Sequence, residues 1–207
     1  PGWEPIQIVG EAGTGREHLA RVIHATGRKS HPFVYLYCGG WTDTGFRRLL
    51  HGFADQPGLI ERTGAGTLYL DRAGLLSQDS RKEIGQLMDS ESPVRLIGSS
   101  EPGIQLSDFF GGGWTEFNLP PIRERIADID ELVSRILVDL QWELGGFNLR
   151  RVDPEALEQI RSFPFSTDNL TELRRMLVWQ ALSNPKQEIL RVPDLPQWMQ
   201  AWTQLQS

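Results

Sequence analysis

The segment that most constrains the fold is IVGEAGTGREHLA, residues 8–20, in which three glycines separate a short apolar run from a helical pattern. Glycines at such a junction let the backbone approach a phosphate group closely, and the N-terminus of the following helix adds free N–H groups and a favourable dipole. The spacing of Gly10, Gly13 and Gly15 therefore predicts a phosphate-binding loop between a strand and a helix. The alternative is a glycine-rich turn that serves only strand–helix packing.

The two residues after this loop differ from those of most phosphate loops. A lysine usually follows the last glycine and reaches the terminal phosphates of a nucleotide, and a Ser or Thr after it binds magnesium. Arg16 keeps the positive charge but places it on a wide planar guanidinium, and Glu17 stands at the Ser/Thr position. The sequence thus predicts a weakened loop, and its phosphate-binding residues would be Gly10, Glu11, Ala12, Gly13, Thr14, Gly15, Arg16 and Glu17.

Short apolar runs and helical patterns alternate in the first part of the chain. Strands are predicted for residues 5–9, 33–38, 67–70, 94–98 and 116–119. Helices are predicted between them for residues 17–25, 44–50 and 80–88. This alternation favours an α/β fold in which a parallel sheet is covered by helices on both faces.

The pattern changes after the LPP sequence at residues 119–121. No further strand is predicted, and helices are expected at residues 128–144, 154–161, 169–182 and 196–205. Asp153 and Pro154 form a typical helix start, with Asp as the N-cap and Pro in the first turn. We therefore expect an α/β core over residues 1–120 and a helical subdomain over residues 121–207.

Composition limits the kinds of function that the chain can have. A net charge of −6 argues against a dedicated nucleic-acid binder, because the phosphate backbone favours clustered cations. The single cysteine, Cys38, excludes an internal disulfide framework and is typical of a reducing cytosol. No apolar run reaches the roughly 20 residues of a membrane helix, and no signal peptide is visible. We therefore expect a cytoplasmic protein without membrane contact, and the start at Pro1 indicates a piece of a longer chain.

A second motif, GTLYLDRAG at residues 66–74, is an apolar strand that ends in an acid. In phosphate-loop enzymes, an aspartate at this place helps to hold magnesium, which would make Asp71 a weak magnesium ligand. An acid directly after it usually orients the attacking water. Arg72 stands there instead and cannot accept a proton.

Together these segments resemble the AAA+ central domain of bacterial enhancer-binding proteins, the NtrC-like activators of sigma-54 RNA polymerase. Residues 10–17, GEAGTGRE, are similar to the family's GESGTGKE, and residues 58–71, GLIERTGAGTLYLD, to its GLFEQADGGTLFLDE. Further similarities follow in order at residues 21–38, 94–101, 117–129 and 163–177. The resemblance implies a P-loop NTPase core followed by a small helical lid.

The chain also departs from this family at positions with assigned roles. The resemblance places Tyr37 where an asparagine partners the catalytic glutamate, and Arg72 where that glutamate stands. The sensor asparagine falls at Glu101 and the sensor arginine of the lid at Thr171. The region that supplies arginine fingers has no Arg or Lys between Arg95 and Arg123, and residues 53–57, FADQP, replace the GAFTGA loop that contacts sigma-54.

These replacements lead to three hypotheses. The favoured one is a degenerate AAA+ domain of a bacterial transcriptional regulator that does not hydrolyse ATP and acts through protein contacts, because one arginine finger alone is worth roughly 10³–10⁵ in rate. Its partners would be regulatory domains of the parent chain and the transcription machinery, with no direct nucleic-acid contact, and it would be a monomer or weak oligomer. The alternatives are a genuine ATPase that uses Arg16, and a purely structural scaffold without nucleotide binding.

The expected ligand chemistry of the loop is equally open. ATP with magnesium would bind weakly, hardly better than inorganic phosphate. Alternatively, Arg16 would fold into the loop and pair with Asp71, which would favour the scaffold.

Other candidate residues are interpreted as structural. His18, His24, His31 and His51 have no metal-ligand spacing, and Asp128, Asp130 and Glu131 suit the start of a helix. The glycine-rich residues 109–116 are expected to be a flexible linker rather than a mobile binding loop. One apolar helical face is expected to pack onto the lid, with a partner-binding face as the alternative: Leu195, Trp198, Met199, Trp202 and Leu205.

Overall fold

The computed structural model describes residues 4–206, with the backbone alone for 203–206. The described chain separates into two compact units. The first comprises the residues up to Glu11 and Gly15–Leu119, and the second comprises Ala12–Thr14 and the chain from Pro120 onwards. The crest of the glycine-rich loop therefore belongs to the second unit.

The first unit is built on a five-stranded parallel sheet in the order β2-β5-β6-β1-β7. In chain order its elements are β1 (Ile6–Gly10), α1 (Arg16–Arg28), β2 (Phe33–Tyr37), α2 (Asp43–His51), β3 (Gly52–Phe53), β4 (Gln56–Pro57), α3 (Leu59–Thr63), β5 (Thr67–Asp71), α4 (Gln78–Asp89), β6 (Arg95–Ser100), α5 (Ser107–Phe110) and β7 (Thr115–Leu119). Because the strands are parallel, their carboxyl ends meet at one edge of the sheet, the usual place for ligand sites in α/β folds.

Side chains that alternate along the strands build a core on each face of this sheet. On one face, Ile8, Tyr69 and Ile97 pack with Ala20 of α1. On the other face, a larger core consists of buried residues from the strands and from α2, α4 and α5, among them Leu36, Leu68, Leu70, Phe46, Leu50, Ile84, Leu96 and Phe110. The predicted parallel sheet with helices on both faces is confirmed.

The second unit is mainly helical. Its elements are α6 (Ile129–Glu143), β8 (Arg151–Val152), α7 (Pro154–Ser162), α8 (Asn169–Ser183), β9 (Ile189–Leu190) and α9 (Gln197–Gln206). One apolar core holds it together, and its fully buried members include Leu140, Ile160, Phe165, Leu173 and Leu177. The predicted start of α7 is confirmed, because Asp153 is its N-cap residue and Pro154 its first helical residue.

The prediction that strands stop after residue 121 is wrong, because β8 and β9 form a short parallel pair. Each strand has two residues, which is too short for an alternating pattern to be recognised in a sequence. The β3–β4 hairpin and the short helices α3 and α5 were missed for the same reason.

Residues 109–116, expected to be a flexible linker, are only partly a loop, because residues 109–110 belong to α5 and residues 115–116 to β7. Phe110 is buried in the core of the first unit, and the ring of Trp114 lies 5.7 Å from the Phe110 ring. Trp114 also covers Gly98, where an added Cβ would lie 3.3 Å from the indole. The aromatic residues therefore fix both ends of the three glycines between them.

The residues interpreted as structural have partners in the second unit. Asp128 and Asp130 lie at the start of α6 with Glu131, and Asp130 is paired with Arg161. On the predicted apolar face, Leu195 and Met199 are buried, and the rings of Trp198 and Trp202 lie 4.8 and 6.0 Å from the Phe163 ring. The expected packing is confirmed for these four residues. The side chain of Leu205 lies outside the described residues.

None of the helices in the described part of the chain combines the length and the apolar character needed to cross a membrane.

Candidate functional site

The glycine-rich loop connects the end of β1 directly to the start of α1. Gly10 is the last residue of β1, and Arg16 is the first residue of α1. Gly13 and Gly15 have φ angles of +74° and +103°, in the left-handed region that favours glycine. The sequence expectation of a strand, a glycine turn and a helix therefore describes the backbone at this place.

The Arg16 side chain turns inward instead of extending towards solvent. It is 7% exposed, and its Nη1 atom donates hydrogen bonds to the carbonyl oxygens of Gly10 (2.5 Å) and Ser100 (3.0 Å). The same atom lies 3.5 Å from Oε1 of Glu101. A buried guanidinium needs such acceptors, because an unpaired buried charge is costly. The expected partner of an inward Arg16 was Asp71, and this detail is wrong: the guanidinium binds the ends of β1 and β6.

Asp71 lies at the end of β5, and its carboxylate is surrounded by hydroxyl groups. Tyr35 donates to Oδ2 at 2.9 Å, and Ser99 and Tyr69 donate to Oδ1 at 2.8 and 3.4 Å. Burial, together with the hydrogen bond to Asp71, raises the pKa of Tyr35 to about 12. The Tyr35 hydroxyl therefore keeps its proton at neutral pH and stays a donor to Asp71.

Arg72 follows Asp71 directly in the chain, and its side chain lies near that of Glu101. The Nε atom of Arg72 is 3.8 Å from Oε1 of Glu101, so Glu101 faces two guanidinium groups, those of Arg16 and Arg72. The backbone of Arg72 has a φ of +53°, and its N–H donates to the Ser99 hydroxyl at 2.9 Å. These residues place two positive charges and one negative charge at the carboxyl edge of the sheet.

Tyr37 lies beside Asp71 in the register of β2 and β5. Its ring folds over Gly39, where an added Cβ would lie 2.7 Å from a ring carbon, so a larger residue at position 39 would displace the exposed Tyr37 ring. The indole N–H of Trp41 donates to the Tyr37 carbonyl at 2.7 Å. Tyr37 thus shapes the loop after β2.

The loop crest, Ala12–Thr14, is fixed by the start of α8 in the second unit. The buried Asn169 side chain donates from Nδ2 to the Ala12 carbonyl and accepts at Oδ1 from the Ile122 N–H, both at 2.9 Å. The Leu170 N–H donates to the Gly13 carbonyl at 3.0 Å. Sequence reasoning missed Asn169, although asparagine tolerates the left-handed backbone (φ +44°) that this position has.

Four predicted site residues remain, three in the loop region and one in the lid. Thr14 is buried, and Glu11 is partly buried directly after β1. Glu17 is exposed on the first turn of α1 and pairs with Arg21 at 2.7 Å. Thr171 is exposed on the first turn of α8, and its N–H donates to the Asp168 carbonyl at 2.9 Å.

Within residues 4–206, no group of three or more His, Cys, Asp or Glu side chains is arranged to hold a metal ion. His31 lies 3.3 Å from the Ser30 hydroxyl, and two further histidines contact residues distant in sequence. His24 lies 2.9 Å from the Thr67 hydroxyl, and His51 lies 2.9 Å from Glu83.

The chain is similar in sequence to a well-defined family of domains. The model of the family described as the sigma-54 interaction domain matches residues 3–106, half of the chain. The hydrogenase transcriptional regulatory protein HoxA of Cupriavidus necator is 28% identical over 202 residues, which cover 82% of this chain and 41% of HoxA. NtrC of Rhizobium meliloti is 25% identical over 232 residues, which cover 92% of this chain and 47% of NtrC. The chain thus spans less than half the length of these curated relatives.

Solved structures show the same fold. The structure of NtrX from Brucella abortus in complex with ATP has a TM-score of 0.78 and 21% identity, and the match covers 95% of this chain and 52% of NtrX. The complex of NtrX with ADP has a TM-score of 0.77 and 22% identity, over 94% of this chain and 50% of NtrX. The fold is that of an AAA+ P-loop NTPase, and the chain belongs to the sigma-54 interaction domain family of transcriptional regulators.

Proposed function

We propose that this chain is a degenerate sigma-54 interaction domain that does not hydrolyse ATP and acts in transcription regulation through protein contacts. The observation that carries the proposal is the position of the Arg16 guanidinium. The side chain that would approach the terminal phosphates instead forms hydrogen bonds with the Gly10 and Ser100 carbonyls. To reach a phosphate, it would have to leave both acceptors and Glu101.

The surroundings of Asp71 support the same conclusion for magnesium. Mg²⁺ takes carboxylate oxygens as ligands in a nearly octahedral arrangement. Both carboxylate oxygens of Asp71 already accept hydrogen bonds from the hydroxyls of Tyr35, Tyr69 and Ser99. As arranged, Arg16 and Asp71 do not fit a magnesium–triphosphate group.

Hydrolysis also requires an acidic group that orients the attacking water, and we propose that this chain has none in the required position. The position after Asp71 holds Arg72, whose guanidinium has no acceptor capacity and lies near Glu101. Oε1 of Glu101 lies 3.5 Å from the Arg16 guanidinium and 3.8 Å from that of Arg72, so this carboxylate is engaged by the protein's own arginines.

The contact with sigma-54 itself is also altered. Residues 53–57 stand where the family's GAFTGA loop would be, and they form the compact β3–β4 hairpin. We propose that a parent protein that carries this domain does not drive open-complex formation at a sigma-54 promoter by the family route. Its partners would be regulatory domains of the parent protein and components of the transcription machinery.

The two units have separate roles in this proposal. Residues 1–120 would serve as the nucleotide-binding-type core and residues 121–207 as the lid, with the crest residues Ala12–Thr14 grouped with the second unit. Nucleotide binding would be weak, with ATP little better than inorganic phosphate at the loop. A scaffold that binds no nucleotide is the second candidate, and it is favoured by the inward Arg16, whose guanidinium is bound to the Gly10 and Ser100 carbonyls.

The decisive experiment is a steady-state ATPase assay on the purified chain with magnesium, with the Asp71→Ala variant alongside. We expect the wild-type rate to equal that of the variant and of buffer, because the water-orienting acid and the phosphate-binding lysine are both replaced. A steady rate that disappears in Asp71→Ala would support the genuine ATPase instead.

A further inference from the structure

The β3–β4 hairpin forms one wall of a groove in the first unit. The hairpin starts at Gly52, whose φ of +91° turns the chain sharply at the end of α2. An added Cβ there would lie 2.4 Å from the Gln56 carbonyl oxygen, so the turn needs glycine. Between the hairpin, α2, α3 and the loop before α2 lies a groove of about 460 Å³, here called the hairpin groove. Its volume is in the range of ligand pockets.

Two aromatic rings in the hairpin groove are exposed to solvent. Trp41 is 43% exposed and Phe53 is 61% exposed. Leu49, Pro57 and Leu59 also line the groove. Covering an exposed aromatic ring with an apolar group removes both surfaces from water, which stabilises the complex. This part of the groove is therefore suited to an apolar side chain.

The same groove has two arginines in its lining. Arg48 and Arg62 line it, and the Arg48 guanidinium lies 4.3 Å from the centre of the Phe53 ring. The lining contains no Asp or Glu, and neither arginine forms an ion pair with any carboxylate in residues 4–206. Asp55 and Glu61 belong to the same stretch of chain but are not part of the lining.

In a second groove of the first unit, the basic side chains form ion pairs with acidic side chains of the same groove. Between α2 and α4, Arg47 pairs with Glu83 at 2.6 Å and Lys82 pairs with Asp79 at 2.7 Å. The unpaired state of Arg48 and Arg62 is therefore not a general property of this surface. In a chain with a net charge of −6, two unneutralised guanidiniums beside exposed aromatic rings indicate an anionic ligand.

We propose that the hairpin groove binds an acidic segment of a protein partner that also carries an apolar side chain. The carboxylates would pair with Arg48 and Arg62, since guanidinium matches carboxylate in bidentate geometry. The apolar side chain would lie between Trp41 and Phe53. A polyphosphate backbone fits less well, because two cations in an acidic chain neutralise few phosphates. This inference goes beyond the proposed function, because it requires nothing of the nucleotide loop.

The test is a fluorescence-anisotropy titration of the full chain with a labelled peptide of alternating Glu and Leu. The comparison probes are the same peptide with Lys in place of Glu, and a single-stranded oligothymidine of equal length. We expect the acidic peptide alone to bind. Its affinity should fall at least about tenfold when NaCl is raised from about 50 to about 500 mM, since exposed ion pairs are screened.

Variants place the binding in the groove. Arg48→Gln combined with Arg62→Gln should lower the affinity for the acidic peptide at least about tenfold, which is the loss expected when charged hydrogen bonds are removed. The control, Arg135→Gln combined with Arg151→Gln, makes the same charge change at exposed arginines of the second unit and should keep wild-type affinity. Trp41→Ser, which leaves the charge unchanged, should also weaken binding.

A direct readout is the Trp41 indole resonance in a ¹H–¹⁵N spectrum, assigned by its absence in Trp41→Phe. This resonance should shift as the acidic peptide is added. The proposal is overturned if no probe binds, or if the basic peptide or the oligonucleotide binds as tightly as the acidic one. It is equally overturned if the acidic peptide binds the double Arg48/Arg62 variant as it binds the wild type.

Discussion

The Nη1 atom of Arg16 lies 2.5 Å from the carbonyl oxygen of Gly10, the residue that ends β1. The charged group at the head of the loop thus binds the protein's own sheet edge, where a second acceptor, the Ser100 carbonyl, ends β6. A lysine at this position would carry a slim, rotatable point charge, whereas the guanidinium presents a planar set of donors that several carbonyls can share. The arginine at position 16 therefore holds its positive charge against the sheet edge.

The fixed loop crest leads to a first prediction. Asn169→Ala leaves the Ala12 carbonyl and the Ile122 N–H without their side-chain partner and places alanine at a positive φ. We expect the free energy of unfolding to fall by about 1–3 kcal/mol, the usual cost of unsatisfied buried groups. Asn118→Ala, at an exposed position, should change it by less than about 0.5 kcal/mol. Urea unfolding measures both, and equal effects of the two variants would contradict the role of Asn169.

A second prediction concerns Gly13. Its φ of +74° disfavours alanine, and an added Cβ would lie 1.9 Å from the Asp168 carbonyl oxygen. Gly103 has a similar φ of +85° but no atom within 4 Å of an added Cβ, so Gly103→Ala measures the backbone cost alone. We expect Gly103→Ala to cost about 1–2 kcal/mol and Gly13→Ala to cost at least about 1 kcal/mol more, because the clash adds to the backbone term. Thermal unfolding compares the two, and a smaller loss for Gly13→Ala would show that the crest is not packed as described.

A third prediction concerns pH. Burial, and to a smaller extent the charges of Arg28 and Arg95, lower the pKa of His24 below its usual value of 6.5. Between the two pKa values the unfolded chain binds more protons than the folded one, so stability rises with pH. The contribution of His24 is fully present above pH 6.5 and is lost as pH falls from there towards the lowered pKa.

The measurement is the free energy of unfolding in urea across this pH range. His24→Gln should reduce the rise of the free energy of unfolding with pH. His18→Gln, at an exposed position of the same helix, should show the same rise as the wild type. A wild-type slope in His24→Gln would contradict the assignment.

The sequence predicted the sheet and its helices well, because their patterns are long and periodic. The apolar runs at β1, β5 and β6 are almost fully buried, and α2 buries one apolar face with Phe46 and Leu50. The short elements β3, β4, β8 and β9 have two residues each and leave no periodic signal. Residues 109–116 were misjudged because three glycines suggested flexibility, whereas the flanking Phe110 and Trp114 rings determine the packing.

The candidate site was predictable in its positions but not in its contacts. The motifs identified Arg16, Asp71, Arg72 and Glu101, and three of these, Arg16, Arg72 and Glu101, form one charged group. The direction of Arg16 depends on the Ser100 carbonyl, which is 84 residues away in sequence and comes close only through the pairing of β1 with β6. The hydroxyls around Asp71 come from three different strands in the same way. Such contacts follow from sheet order, which local patterns do not specify.

A fourth prediction concerns assembly. In the family that the chain resembles, arginine fingers reach the nucleotide of a neighbouring subunit, and this chain has no Arg or Lys between Arg95 and Arg123. We expect a monomer or a weak oligomer in dilute solution, with the same mass with and without ATP and magnesium. Multi-angle light scattering reports the mass directly, and a hexamer that appears on addition of ATP would contradict the prediction.

The measurement that tests the central claim most directly is a calorimetric titration of the wild-type chain with ATP in the presence of magnesium. Inorganic phosphate is titrated in parallel, and Asp71→Ala serves as the control variant. Because Arg16 is bound to the Gly10 and Ser100 carbonyls and Asp71 to three hydroxyls, we expect ATP to bind no more than about tenfold more tightly than phosphate, without dependence on Asp71. Tight, magnesium-dependent binding of ATP that is lost in Asp71→Ala would contradict this account of the site.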